Sequence, residues 1–381
     1  MAGSSGFKLF FLAFCCTAIF PSSSTRPAQA AFTDDRRLSA DPVKPAFAGD
    51  LWHDPGEISI LDLTFGCGGK ERAPRLDATY SFLKEDLRGT STKFYVKDDR
   101  GVEWLVKVGD EARSETAATR FVWAMGYFTD EDYFVGELHV AGLTKLHRHS
   151  KSIHKNGTVT NARLKRSQKG QKKLATWAWD DNPFLGSKEL NGLRVLMALI
   201  NNWDLKTVNN KIYAAKQGRE APETDRQHES LGDGSRAVET NVVSSASTNV
   251  TQDNVHYVVS DLGASFGRTG AFFSRSKGNV KDFAKDPFIR AATPQTVDFV
   301  MRTKPGGIVG RFKPHYYQER IEMANVVHHV PRAHAKWIGS QLARLTPQQI
   351  RSAFLAAGFT PREIDGYTKV LTERISELNA L

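Results

Sequence analysis

Residues 214–254 constrain this chain more than any other feature, because they contain almost no large apolar side chains. Ser, Thr, Asn, Asp, Glu and Gly dominate the stretch, which cannot bury enough apolar surface to offset the entropy of ordering it. It is therefore expected to leave the body as a long, mobile surface loop, and the core must come from the chain on either side. Apolar patterning is present on both flanks. Asn191 to Asn201 (NGLRVLMALIN) reads as a largely apolar helix ahead of the loop, and His256-Tyr257-Val258-Val259-Ser260 as a strand after it.

Upstream, Phe94-Tyr95-Val96 and Val102 to Val108 are β-rich runs joined by Asp98-Asp99-Arg100-Gly101, which predicts a hairpin. Arg113 to Met125 places Ala117, Ala118, Phe121, Val122 and Ala124 at helical spacing, and Gly126 ends that helix. Residues 132–145 return to short β-like runs, and 146–180 read as an exposed basic insertion or connection. Beyond about residue 285 the pattern is helical, with Thr346-Pro347-Gln348-Gln349 supplying a cap, a proline at the first helical position and a capping box. A chain of 381 residues with 40% hydrophobic and 25% charged residues suits a soluble globular protein of two lobes or domains.

The first thirty residues predict export. Lys8 precedes a short apolar stretch, Leu9 to Phe20, followed by a Pro/Ser-rich segment and Ala28-Gln29-Ala30, an A-x-A cleavage pattern. Export implies a periplasmic or extracellular protein. No later apolar run approaches the ~20 residues of a membrane span, so none is expected once the signal is removed. The net charge of +10 suits phosphorylated ligands, anionic surfaces or nucleic acid. Many exported proteins are simply basic, and nucleic acid is not the expected partner. Oligomeric state is unreadable.

Two short motifs carry chemistry. Asn201-Asn202-Trp203-Asp204-Leu205-Lys206-Thr207-Val208-Asn209 follows the apolar helix, and Asp261-Leu262-Gly263 follows the strand. An Asp with an Asn five positions on, then a strand-borne Asp-x-Gly, is what phosphoryl transfer needs. One carboxylate orients the incoming hydroxyl, while an amide oxygen and a second carboxylate hold magnesium against phosphates. Taken singly, these residues also fit caps and turns.

Asp204-Leu205-Lys206-x-x-Asn209 resembles the catalytic loop of the protein-kinase superfamily, with Trp203 where those kinases carry Arg, and Asp261-Leu262-Gly263 resembles their metal motif. Within the superfamily, Gly89 to Gly126 is most similar to the HipA-like serine/threonine kinases. Gly89-Thr90-Ser91-Thr92-Lys93 matches their phosphate loop, Lys107 their strand lysine and Glu115 their helix glutamate, for which Glu111 is a competitor.

The resemblance implies an α+β, bilobal protein-kinase-like fold. A small antiparallel-sheet lobe with one helix would span 85–145, after an N-terminal extension at 31–84. A larger, mainly helical lobe would span 146–381. It also implies Asp204 as the hydroxyl-orienting base and Lys206 as a γ-phosphate contact. Gly89, Ser91, Lys93, Lys107 and Glu115 would hold the nucleotide, and Asn209 and Asp261 would be magnesium ligands. The expected activity is magnesium- and ATP-dependent phosphoryl transfer to a hydroxyl of a protein or small molecule. Its competitors are a nucleotidyl or glutamyl transferase and a non-catalytic pseudokinase or envelope binding protein. Asp204 and Asp261 stand 57 positions apart, a separation that residues 214–254 largely account for.

Overall fold

A computed structural model describes residues 48–143, 145–168, 171–214, 255–269, 275–303 and 312–381. The expected signal segment and residues 215–254 of the expected mobile loop lie outside the described residues.

The first half of the described chain is built from β1 (Tyr80–Glu85), β2 (Lys93–Lys97), β3 (Glu103–Val108), helix α1 (Glu111–Ala124), β4 (Asp132–Ala141) and β5 (Thr158–Arg166). In β2 and β3 alternate residues point to opposite faces. Phe94, Val96, Trp104 and Val106 fill one side with Val135 and Leu164. Lys93 and Lys107 share the other side, directly opposite each other, and Lys107 in turn faces Arg163 of β5. The strand order is β1-β2-β3-β5-β4, and the sheet is a closed barrel. All pairs are antiparallel except β1 with β4, where Tyr80 meets Val140 and Ser81 meets Ala141.

This closed barrel corrects the expected bilobal, kinase-like fold with its small antiparallel-sheet lobe. The fold is α+β, but β1 lies in what was read as an N-terminal extension. Adding it lets the sheet close on itself and leaves no free edge. A second correction concerns 146–180. Residues 158–166, read as part of an exposed insertion, form β5 between β3 and β4, and Ala162, Arg163 and Leu164 are buried.

The second half centres on α2 (Lys188–Leu199), buried on most sides as its apolar sequence requires and capped by Ser187, whose hydroxyl accepts from the Leu190 amide. Beside it lies a three-stranded antiparallel sheet of β6 (Lys173–Ala175), β7 (Asn210–Ala214) and β8 (Val255–Val259). β9 (Arg268–Thr269) and β10 (Arg275–Ser276) form a short ribbon, followed by a single helical turn, α3 (Val280–Phe283).

The helical expectation beyond 285 holds only in part. β11 (Ile289–Ala292), β12 (Thr296–Phe299) and β13 (Val330–Pro331) form another sheet, because Val297 and Phe299 alternate inward with period two. Helices α4 (Pro314–Asn325), α5 (Arg332–Leu342), α6 (Pro347–Ala356) and α7 (Pro361–Asn379) complete the described chain. The capping box at Thr346 and Gln349 is present, and Thr360 with Glu363 forms another. Phe121 of α1 packs on Phe266 and Phe354, and Phe354 stacks on Tyr367 with ring centres 4.5 Å apart. Helix α1 is thus gripped between the barrel and this core. No helix among the described residues is long and apolar enough to cross a membrane.

Candidate functional site

Lys107 organises the site. It projects from β3 on the barrel's outer face, and only 3% of it is exposed. Its Nζ contacts Glu111 Oε2 at 2.5 Å, Glu115 Oε2 at 3.1 Å and Asp261 Oδ1 at 2.7 Å. Burial alone would discharge the ammonium, but the carboxylates of Glu115, Glu111 and Asp261 outweigh it and hold the pKa above the ordinary lysine value. Both candidate helix glutamates therefore reach the lysine. Glu115 also accepts from Arg163 Nη2 at 3.0 Å, and Glu111 accepts from Ser91 Oγ at 3.0 Å and pairs with Lys277.

Asp261 arrives from the far side of the polar segment. Pairing of β7 with β8 sets Asn210 opposite Val259, and the Ser260 amide donates to the Asn209 carbonyl at 3.2 Å. The two motifs, distant in sequence, are thereby joined at one end of a sheet. Asp261 sits at φ 55°, ψ 49°, the left-handed region that Asp tolerates better than most residues. Gly263 then lets α1 approach: a Cβ there would lie 2.8 Å from Glu111 Cβ, and Ser114 Oγ donates to the Gly263 carbonyl at 2.7 Å. Burial would raise the Asp261 pKa, and Lys107 reverses this and keeps the carboxyl low. Its side chain is still 48% exposed.

A cleft of about 680 Å³ opens beside Asp261, and Gly89, Lys93, Lys165, Asn209 and Lys211 share its walls. Asn209 donates through Nδ2 to the Asp204 carbonyl at 2.8 Å, so the amide is oriented with that donor engaged and its oxygen available as a hard ligand. Asn209 and Asp261 thus offer oxygen donors that suit magnesium, and the lysines suit phosphates. Burial depresses Lys93, and burial together with the Lys165 charge brings Lys211 down to about 8. Neither lysine is in an ion pair among the described residues, burial outweighs the carboxylates around them, and both would gain charge on binding a polyanion. Affinity for inorganic tripolyphosphate should therefore fall about tenfold between pH 7 and pH 9 as Lys211 loses its proton. Calorimetry should show that dependence flattened in Lys211→Arg.

Asp204 and Lys206 are not on this cleft. Lys206 Nζ pairs with Asp204 Oδ1 at 3.1 Å and lines a neighbouring groove, and Val208 lies on both. Arg320 of α4, only 1% exposed, reaches the same oxygen at 3.3 Å, and its guanidinium lies 5.2 Å from the Trp203 ring centre. A cation from a distant helix thus meets the carboxylate where the adjacent position holds Trp.

The Gly89 loop has its own tether, which sequence reading missed. Arg148 Nη1 donates to the carbonyls of Asp86 and Arg88 at 3.4 Å and of Ser91 at 3.1 Å, and Nη2 donates to that of Leu87. One guanidinium draws four carbonyls together, while Gly89 takes φ +66°. Ser91 donates its hydroxyl to Glu111 and does not line the cleft. Arg148→Ala should weaken tripolyphosphate binding roughly five- to tenfold, as for a lost hydrogen-bonded tether. Arg148→Lys should not rescue it, because an ammonium lacks the planar fork.

Gly89, Lys93, Asn209 and Asp261 therefore share one cleft, with Lys107 and Glu115 joined behind it through Asp261. Arg163, Lys165, Lys211, Arg148 and Arg320 are additions. Alternation of Arg163 and Lys165 with Ala162 and Leu164 was the one local signal for any of them. No family model, curated protein or solved structure matches the chain.

Proposed function

We propose that this chain is a magnesium- and ATP-dependent phosphotransferase acting on a hydroxyl of a protein or small molecule. The observation that carries the reading is the ion-paired Lys107–Glu115–Asp261 set beside a lysine-walled cleft that also presents Asn209. Bound magnesium–ATP would supply the phosphoryl group, with Asn209 and Asp261 as the residues to hold the metal. Lys93 and Lys211 would balance phosphate charge, and the Gly89 loop would bring backbone close to it. Asp204 carries its described side-chain contacts on Oδ1. Oδ2 would accept the proton of the incoming hydroxyl as that oxygen bonds to phosphorus and the bond to the departing diphosphate breaks. The motif order resembling the kinase superfamily supports the reading at the level of these residues. The barrel architecture lends it nothing.

A thermal-shift titration tests the proposal. Magnesium–ATP at a hundredfold excess over its dissociation constant should stabilise the protein by about 2.7 kcal/mol. The gain should require magnesium and vanish in Asp261→Ala. A protein that no nucleotide stabilises would refute the assignment.

A further inference from the structure

The groove beside Asp204 has a composition of its own. It is about 610 Å³, its floor includes Trp179, Leu205 and Met323, and it adjoins the lysine-walled cleft at Val208. Two of its apolar walls are open to solvent: Leu185 is 57% exposed and Val208 67%. Large apolar side chains gathered in a concave surface mark a place where something binds.

Charge says what kind of partner. Asp180, Glu319 and Glu322 border the groove, and none of the three is in an ion pair among the described residues. Its two cations, Arg194 and Lys206, leave one net negative charge on the lining, and both are held by bonds of their own. Lys206 pairs with Asp204, and Arg194 donates to the carbonyls of Val326 and His328 and to Asn191 Oδ1. The groove is therefore acidic on a chain whose net charge is +10, the reverse of the cleft beside it.

We infer that this groove binds the acceptor, and that the acceptor is a polypeptide segment whose Ser or Thr is flanked by Lys or Arg and by an apolar residue. The inference rests on the phosphotransferase reading for the word acceptor, and on the groove alone for the rest. Aliphatic side chains would cover Leu185 and Val208, and flanking cations would meet Glu319, Glu322 and Asp180. The hydroxyl between them would then face Asp204, which Lys206 connects to the groove.

Binding can be read without transfer, using fluorescently labelled short peptides in which Ala replaces the hydroxyl residue. An Arg-flanked peptide should bind about tenfold more tightly than a Glu-flanked peptide with the same apolar residues. In Glu319→Gln/Glu322→Gln the ratio should shrink to about threefold or less, with the salt dependence reduced. Equal binding of the two peptides, or a ratio unmoved in the double variant, overturns the inference. Binding of an amine-bearing sugar in place of any peptide overturns the polypeptide assignment. The magnesium–ATP thermal shift, run on the same samples, separates the two readings. Its presence without peptide discrimination sinks only the groove, and its absence with discrimination sinks only the phosphotransferase.

Discussion

Asp204→Asn should lower phosphoryl transfer about 10²–10⁴-fold, the usual worth of a positioned general base, while leaving the magnesium–ATP stabilisation intact. The substitution keeps the shape of the side chain and an oxygen that Arg320 and Lys206 can still approach, and removes the capacity to take a proton. The residue does not line the lysine-walled cleft, so nucleotide affinity should be unchanged. Because Lys206 and Arg320 both converge on Oδ1, the carboxylate is held in one orientation. The defect should therefore fall in kcat and not in KM for ATP. Asp261→Ala, by contrast, should lose both transfer and magnesium-dependent binding. Transfer by Asp204→Asn at a rate near that of the unsubstituted protein would remove the residue from the mechanism.

How much of this was legible depends on how local each signal is. The β2–β3 hairpin, α1, α2 and the last two helices announce themselves through periodicity and caps within a few residues. β1 does not: Tyr80 to Glu85 is mostly exposed or half-buried, without clean alternation, and its importance comes from a pairing with β4 some sixty positions away. Barrel closure is a long-range property that a periodicity reading cannot see. β5 misled for a different reason. Charged side chains are almost never fully buried unless paired, and Arg163 is 4% exposed because Glu115 and Asp132 await it.

The site shows the same division. Asp204, Asn209 and Asp261 could be read from two short motifs, and Lys107 and Glu115 from their order in the chain. Arg320 could not, since 116 positions separate it from Asp204 and nothing near it in sequence points there. Arg148 acts through backbone carbonyls, which any residue supplies, so no pattern of side chains marks its target.

Glu115→Ala should cost about 3–5 kcal/mol in stability, because it removes one partner from a buried ionic network and leaves the others in place. Glu115 is 1% exposed, and its two oxygens are divided between Lys107 and Arg163. The two cations do not suffer equally. Lys107 retains Glu111 and Asp261, whereas Arg163 keeps, as its one remaining ion pair among the described residues, Asp132 at 3.5 Å from its Nε. The Nε and Nη1 of Arg163 already lack hydrogen-bond partners, so loss of Glu115 would strip its one short bond. Asp132 cannot compensate fully, since its carboxylate stands 3.5 Å from Arg163 Nε and makes no hydrogen bond among the described residues. The penalty should thus come chiefly from an orphaned Arg163, and a double-mutant cycle isolates it. Glu115→Ala/Arg163→Ala should be less destabilised in urea than the sum of the two single variants by about 1–3 kcal/mol. Strict additivity, or a loss below about 1 kcal/mol in Glu115→Ala, would mean that the network does not hold α1 to the barrel.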